Sequence, residues 1–306
     1  MSPTGDPAPP SLRVQTVLYD TDEAALRRFF QGISAACLLA VGEGVVGRTV
    51  LAAGDSSAAA TAFAEIVGAE EGGPFDDVSY LHFGSNLGSG GGHNRLFEGL
   101  GEDLVLVMNP DTYASPRMVT ELVCALAEPT VGVVEARQLP LEHPKSHDLD
   151  TGDTSWASGS CFLARAQVIA DTGGFDPEFF FLYGDDIDFS WRARLQGWRV
   201  VHRPSARVFH DKRLTPDGYV EATALEPRYS AEVSVLLPWR YSRRDLADAR
   251  LAELESSPDP LQREVAASLR QRVADGRMPE PLDPEHRVGQ FVDGEYAVHR
   301  FSYAQS

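Results

Sequence analysis

The sequence predicts an α/β fold built on a mostly parallel sheet, with a helical appendage at its C-terminal end. Three observations carry that reading. Four apolar runs each lead into an amphipathic or alanine-rich segment, the fourth run is apolar at consecutive positions as in a strand covered on both faces, and beyond about Thr215 helical spacing replaces the strand pattern.

The first strand is Val14 to Tyr19. Thr21 or Asp22 caps the helix after it, where Leu26, Phe29, Phe30 and Ile33 recur at i, i+3, i+4, i+7. The second, Val50 to Ala53, ends in Gly54-Asp55-Ser56-Ser57 and passes into a helix expected over Ala58–Val67. The third, Val78 to Phe83, precedes a glycine-dense loop and a short helix. The fourth, Leu104 to Met108, stops at Asn109-Pro110-Asp111. Ser115 and Pro116 suit the N-cap and first turn of a helix whose Val119, Leu122, Val123 and Leu126 face one way. Further on, Ser242 and Asp245 have capping-box spacing before Ala247, Leu251 and Leu254. Leu261, Val265 and Leu269 then run helically toward Gly276.

The chain has 306 residues and 43% hydrophobic content, enough for a substantial core, so wholesale disorder is excluded. Its 27 Lys+Arg against 45 Asp+Glu give a net charge of −18, and Lys145 and Lys212 are its only lysines. Neither nucleic acid nor an anionic membrane suits such a surface, because both reward a basic face. Cys37, Cys124 and Cys161 lie far apart in apolar stretches and form no CxxC pair, so they are expected as reduced core residues of a cytoplasmic protein. Met1 to Pro10 has four prolines and no apolar run, matching a loose tail rather than a signal peptide, and no stretch reaches the roughly 18 consecutive apolar residues of a membrane span.

In a parallel sheet, ligands bind at the carboxyl ends of the strands. Tyr19-Asp20, Gly54 to Ser57, Asn86 to Asn94 and Asn109-Pro110-Asp111 all follow strands, so one mouth collects them. The glycines of Asn86-Leu-Gly-Ser-Gly-Gly-Gly-His-Asn94 would let backbone N–H groups approach a diphosphate, although a tight turn explains them about as well. Asp111 just past a buried strand suits a hard cation, but from the tripeptide alone an Asx turn or N-cap is the favoured reading. In Tyr183-Gly-Asp-Asp-Ile-Asp-Phe-Ser-Trp-Arg192, the face formed by Ile187, Trp191 and Leu195 puts Asp185, Asp186 and Asp188 at a helix N-terminus among aromatics. Helix capping accounts for one or two of them, and the crowding should raise at least one pKa, which suits a general base. His210 after Val208-Phe209 reads alone as structural.

In order and spacing these motifs resemble the family 2 glycosyltransferases, in particular the bacterial rhamnosyltransferase-like branch. Asn86-Leu87-Gly88 with Gly92-His93-Asn94, Met108-Asn109-Pro110-Asp111, Ser158-Gly159 with Arg165, Gly173-Gly174-Phe175-Asp176, Phe181 to Asp188 with Arg192, and the final His210 all match. The resemblance implies a GT-A fold, and the expected organisation is a tail over 1–10, a GT-A domain over 11–215 and a helical extension over 216–306. Within the GT-A domain, 11–111 would be the nucleotide-sugar half and 112–215 the acceptor and catalytic half.

What the resemblance implies is an inverting transfer from a nucleoside-diphosphate sugar to a carbohydrate or other hydroxyl acceptor, with Mn²⁺ or Mg²⁺ required. Asp186 would be the base, with Asp185, Asp188 and Arg192 around it. Tyr19, Asp20, Asp55, Asn86, Gly88, Gly91, Gly92, Asn94 and Asn109 would meet the donor; Trp156, Ser158 and Gly159 the acceptor; Asp111 and His210 the metal. A homo-oligomer is admitted; nucleic acid and a membrane span are not.

The sequence departs from the family where Ala53 stands in place of the aspartate that commonly reads the base, and where Asp185 replaces the usual glutamate. The rival expectation is therefore a GT-A domain that has lost turnover and serves as a binding scaffold. A nucleotidyltransferase would want a basic glycine loop near the N-terminus, and Gly42 to Arg48 is a poor candidate.

Overall fold

The computed structural model describes residues 8–59, 62–143, 145–212 and 224–296, so most of the expected tail over 1–10 and the boundary near 215 lie outside the described residues. Strand and helix alternate through the first half as β1 (Ser11–Leu18), α1 (Glu23–Gly42), β2 (Arg48–Asp55), α2 (Phe63–Gly68), β3 (Asp77–His82), α3 (Gly88–Phe97) and β4 (Leu104–Met108). The second half adds β5 (Thr112–Ala114), α4 (Met118–Ala125), β6 (Val131–Leu139), β7 (Cys161–Arg165), α5 (Ala166–Thr172), α6 (Asp185–Leu195) and β8 (Arg199–His210). Three helices follow: α7 (Glu226–Arg240), α8 (Arg244–Ser256) and α9 (Pro260–Ala274).

One eight-stranded sheet runs in the order β3-β2-β1-β4-β7-β6-β8-β5. Strands β3, β2, β1 and β4 are parallel, as the strand-helix repeats require, and β6 and β8 are parallel too. Strand β7 runs antiparallel to both β4 and β6, and β5 runs antiparallel to β8. Those reversals matter for the site, because they bring the segment before β7 and the segment before β5 to the edge where β1, β2, β3, β4, β6 and β8 end.

Two apolar layers cover the sheet. Leu26, Phe29, Phe30 and Ile33 of α1 join Met118 and Leu122 of α4 against Val14, Leu106 and Val208 on one face. Val105, Val107 and Phe162 meet Phe175 and Phe189 on the other. A third cluster joins Ile187 and Trp191 of α6 to Val235, Leu251, Val265 and Leu269, so the C-terminal helices share a core with the helix that carries the aspartates.

Local chemistry departs from expectation in several places. Asp22 caps α1, accepting the Ala25 N–H at 2.8 Å. Helix α2 begins only at Phe63, after a bend at Ala58-Ala59. The N-cap of α4 is Arg117, and Ser115 contributes its carbonyl to the Met118 N–H rather than a side chain. No capping box forms at α8, because Ser242 sits at φ +58° with its hydroxyl on the Leu282 carbonyl while Asp245 pairs with Arg243. Cys37 and Cys161 are buried, but Cys124 lies on the outer face of α4 and is exposed. Helix α1 is long and apolar enough to cross a membrane by length and composition alone, which the unbroken-run criterion missed. Here its apolar stripe packs under the sheet.

Candidate active site

Six strands deliver their carboxyl ends to one edge, and hydrogen bonds join the loops there into a chain. At β1, the Asp20 N–H reaches Ser57 Oγ at 3.4 Å, and the Leu87 N–H reaches Ser56 Oγ at the same distance. Asp185, at the start of α6, is hydrogen-bonded by Ser89 of α3. Beside it, the Gly159 N–H donates to Asp186 Oδ2 at 2.8 Å. The Asn109 N–H then donates to the Ser160 carbonyl at 3.0 Å, and Asp211 N–H bonds the Asp111 carbonyl at 2.9 Å. The single mouth expected from strand order is formed.

The three acids of α6 have different fates. Tyr183 (φ +64°) and Gly184 (φ +70°) are consecutive left-handed residues that turn the chain sharply into the helix. Gly184 has no alternative, since a Cβ there would stand 2.6 Å from Val233. Asp185 is buried, and that burial together with the neighbouring charge of Asp186 pushes its pKa up to about 8. The shift expected of the cluster therefore falls on Asp185. Asp186 is only partly buried, with Oδ1 accepting its following amide, Ile187 N–H, at 2.9 Å and Oδ2 held by Gly159.

Asp188 points elsewhere, contrary to its expected place beside Asp186. It is fully buried, pairs with Arg192 at 2.7 Å and accepts the Tyr241 hydroxyl at 3.0 Å. Arg192 consequently holds Asp188 and the Thr172 carbonyl, not the mouth. One helical step of 100° per residue separates neighbouring side chains, which is why Asp186 and Asp188 diverge.

Asp111 and His210 meet across the β5–β8 pairing, with His210 Nε2 3.3 Å from Asp111 Oδ2. His210 Nδ1 lies 2.9 Å from Gln138 Oε1, an acceptor, so Nδ1 carries the proton and Nε2 turns toward the carboxylate. Asp111 Oδ1 is buried without a hydrogen-bond partner. An orphaned carboxylate oxygen beside an imidazole nitrogen fits a divalent cation. No group of three or more His, Cys, Asp or Glu suited to a metal occurs among the described residues, so the other ligands would come from water or a diphosphate.

Of the residues expected to meet an acceptor, Trp156 and Ser158 are buried, Ser158 hydrogen-bonding Ser160 through their hydroxyls at 3.1 Å, and Gly159 lies against Asp186. Two groups that the motifs did not flag support this loop. Glu135 of β6 accepts the Ser158 N–H at 2.8 Å, and Lys145 pairs with Glu135 at 2.8 Å. A lone carboxylate within the apolar run Val131–Ala136 was the available signal.

The glycine segment forms a helix rather than the expected loop. Asn86 Oδ1 accepts the Gly88 N–H at 2.9 Å and starts α3, which contains the glycines. Gly88 abuts Phe181 and Gly92 abuts Val17, where an added Cβ would stand 2.4 and 2.7 Å from the nearest atoms; they are spacers for close packing. Gly91 faces Leu87 and Pro177 with room for a Cβ. Asn94 is spent on the Phe175 backbone, donating to its carbonyl at 2.9 Å and accepting its N–H at 2.8 Å. Asp55 is also withdrawn from the mouth: it is fully buried, accepting the Tyr80 hydroxyl at 2.6 Å and the Ser57 N–H at 2.8 Å. Tyr19 and Asp20 are exposed, and Asn109 lies at the rim between β4 and β5.

Residues 145–224 match the family model described as glycosyltransferase like family 2. The chain is 30% identical over 185 residues to the N-acetylglucosaminyl-diphospho-decaprenol L-rhamnosyltransferase of Mycobacterium tuberculosis, covering 45% of this chain and 60% of that enzyme. It is 25% identical over 211 residues to the pre-mycofactocin glycosyltransferase of the same organism, covering 63% of this chain and 43% of the relative. The chain thus spans less than two thirds of both relatives. Among solved structures, the mannosyltransferase PcManGT of Pyrobaculum calidifontis, in complex with GDP-Man and Mn²⁺, superposes with TM-score 0.54 at 16% identity over 87% of this chain and 81% of that one. GalNAc-T7 with UDP, GalNAc and Mn²⁺ superposes with TM-score 0.58 at 11% identity over 88% and 56%. At such identities the likeness is one of fold, and that fold is the GT-A arrangement. The family model carries the family 2 resemblance of the motifs, and both relatives are glycosyltransferases by name.

Proposed function

We propose that this chain is an inverting, metal-dependent glycosyltransferase, moving a sugar from a nucleoside diphosphate to an acceptor hydroxyl with Asp186 as general base. The observation that carries the proposal is the junction of two loops: Ser160 accepts from Asn109 while the adjacent Gly159 donates to Asp186. The candidate base and the segment leading to Asp111 therefore flank the same β4–β7 edge.

In a single displacement the acceptor oxygen loses its proton as it attacks the anomeric carbon, and the bond from that carbon to the diphosphate oxygen breaks. Burial leaves Asp185 protonated near neutral pH, so the negative charge of the pair rests on the partly exposed Asp186. The Gly159 amide and the N-terminal turn of α6 stabilise that anion and hold it toward the mouth, where it takes the acceptor proton. Asp111 and His210 would hold Mn²⁺ or Mg²⁺, and a bound cation supplies charge neutralisation for a departing diphosphate. Tyr19 and Asp20 at the β1 end suit the donor's nucleoside side, and the partly exposed Gly159 beside Asp186 the acceptor side.

Incubating the protein with UDP-N-acetylglucosamine, GDP-mannose and a nucleoside-diphosphate rhamnose, with Mn²⁺ and a polyprenyl-diphosphate-linked sugar or a cell extract as acceptor, tests this. Release of nucleoside diphosphate from at least one donor, lost in Asp186→Asn, is the expected result. A flat response with every donor would favour the scaffold, for which the alanine at 53 and the burial of Asp55 are the specific observations.

A further inference from the structure

Glu135 lies in the middle of β6 with no exposed surface, yet it holds three donors: Lys145 Nζ at 2.8 Å and the Ser158 N–H at 2.8 Å on Oε1, and His202 Nδ1 at 3.1 Å on Oε2. Burial opposes its ionisation, but the charge of Lys145 and the hydrogen bond from His202 more than offset that and hold its carboxyl below the usual range. Lys145 is itself a cross-link. Its Nζ donates to the Trp156 carbonyl at 2.5 Å and lies 3.8 Å from the centre of the Trp156 ring.

A buried ion pair is a poor source of stability, because desolvation consumes most of its attraction and apolar residues of equal volume do as well. This one does something that apolar residues could not: it fixes a peptide group. The Ser158 N–H goes to Glu135, and the next amide in the chain, Gly159 N–H, goes to Asp186 Oδ2 at 2.8 Å. A Cβ at Gly159 would already lie 3.4 Å from Asp186 Cβ, so loop and carboxylate pack directly on each other.

We propose that Glu135, clamped by Lys145 and His202, is a positioning residue for Asp186, acting through the successive amides of Ser158 and Gly159. The inference rests on the assignment of Asp186 as general base. Releasing the clamp lets the Gly159 N–H drift from Oδ2, and an error of about 1 Å at a reacting group costs up to roughly 100-fold in rate.

Amide hydrogen exchange, measured on the protein without donor, tests the link itself. Lys145→Met and Glu135→Gln should speed exchange at Ser158 and Gly159 about tenfold or more, with the amides of β1 and β2 unchanged. Turnover is then followed with whichever of UDP-N-acetylglucosamine, GDP-mannose or nucleoside-diphosphate rhamnose the protein uses. Each variant should lower kcat about 10- to 100-fold with donor KM nearly unchanged, Lys145→Arg should recover most of the loss, and neither variant should lower the residual rate of Asp186→Asn further. If Glu135→Gln fails to fold because it strands the Lys145 cation, Glu135→Gln/Lys145→Met carries the same test. Unchanged exchange, unchanged kcat, or an equal loss in the wild-type and Asp186→Asn backgrounds would overturn the proposal. Ordinary turnover in Asp186→Asn alone would instead overturn the assignment of the base, while exchange at Gly159 still reports on the clamp.

Discussion

The hydroxyl of Tyr241 lies 3.0 Å from the carbonyl of Asp188 and 3.0 Å from its Oδ1, so a residue just past α7 secures a fully buried carboxylate in the first turn of α6. Arg192 at 2.7 Å occupies the other oxygen. The acid that motif spacing sets beside Asp186 is thus a joint between α6 and the C-terminal helices.

Tyr241→Phe should therefore destabilise the fold by roughly 1–3 kcal/mol in urea denaturation, the usual cost of leaving a buried acceptor short of a donor. Donor binding by titration should be unchanged. Ending the chain after Ser256 should do far more harm, because Val265, Ala266, Leu269 and Val288 all leave the core they share with Trp191. A truncated chain that stayed folded would contradict this account of the extension.

The second prediction concerns pH. Asp185 keeps its proton in the folded state up to about pH 8, whereas in the unfolded chain it ionises near 4, so the unfolded state is favoured progressively as pH rises between those values. Below about pH 4 both states are protonated and the penalty vanishes; above about pH 8 it is complete. Asp185→Asn removes the titration while keeping the shape. Its gain in melting temperature over the wild type should be small at pH 5 and several degrees at pH 8, read by calorimetry across that range.

The alternation of strand and helix was legible because β2 and β4 bury apolar side chains on both faces, β1 buries Leu12, Val14 and Leu18 on one, and α1 shows a clean stripe of Leu26, Phe29, Phe30 and Ile33. The mouth was legible for the same reason, since strand ends locate it. Side-chain direction was not. Whether Asp188 faces solvent or core depends on Tyr241, Arg192 and Arg240, which lie 53, 4 and 52 positions away in a chain that spacing alone does not fold. The glycines misled for a related reason: Gly88 and Gly92 answer to Phe181 and Val17, long-range neighbours that make a poor helix former the only residue that fits. Glu135 and Lys145 drew no attention as a pair, although each is unusual where it stands.

Those glycines separate into two classes that substitution should distinguish. Gly92→Ala forces a Cβ to within 2.7 Å of Val17 and should cost about 1–3 kcal/mol, whereas Gly91→Ala has ordinary contacts and gains helix propensity of up to about 1 kcal/mol. Opposite shifts in melting temperature are expected. If Gly91→Ala instead lost donor affinity without losing stability, α3 would have to be reconsidered as a diphosphate-binding element.

Cation binding is predicted at Asp111 and His210. Titrating Mn²⁺ in the presence of nucleoside diphosphate, followed by electron paramagnetic resonance, should give a bound signal that Asp111→Ala abolishes and His210→Ala weakens. Gln138→Leu, which removes the acceptor 2.9 Å from His210 Nδ1, should weaken it by about 10-fold without touching a ligand. Equal binding by wild type and Asp111→Ala would place the cation elsewhere.

Asp186→Asn preserves size, and its one carbonyl oxygen can still accept from either the Gly159 or the Ile187 amide, which bond different oxygens of the wild-type carboxylate at 2.8 and 2.9 Å. It cannot take a proton. If Asp186 is the base, kcat should fall about 10²–10⁴-fold while donor KM and melting temperature change little. If the aspartate served only the N-terminus of α6, the pattern would be reversed, with a modest loss of stability and turnover nearly intact, because asparagine serves a helix N-terminus almost as well as aspartate. Asp188→Asn supplies the contrast: with Arg192 and Tyr241 left facing a neutral amide, it should lose stability first and activity only as a consequence. Measuring kcat and melting temperature on both variants separates base from joint, and an Asp186→Asn enzyme that is stable and turns over normally would remove the base from this site.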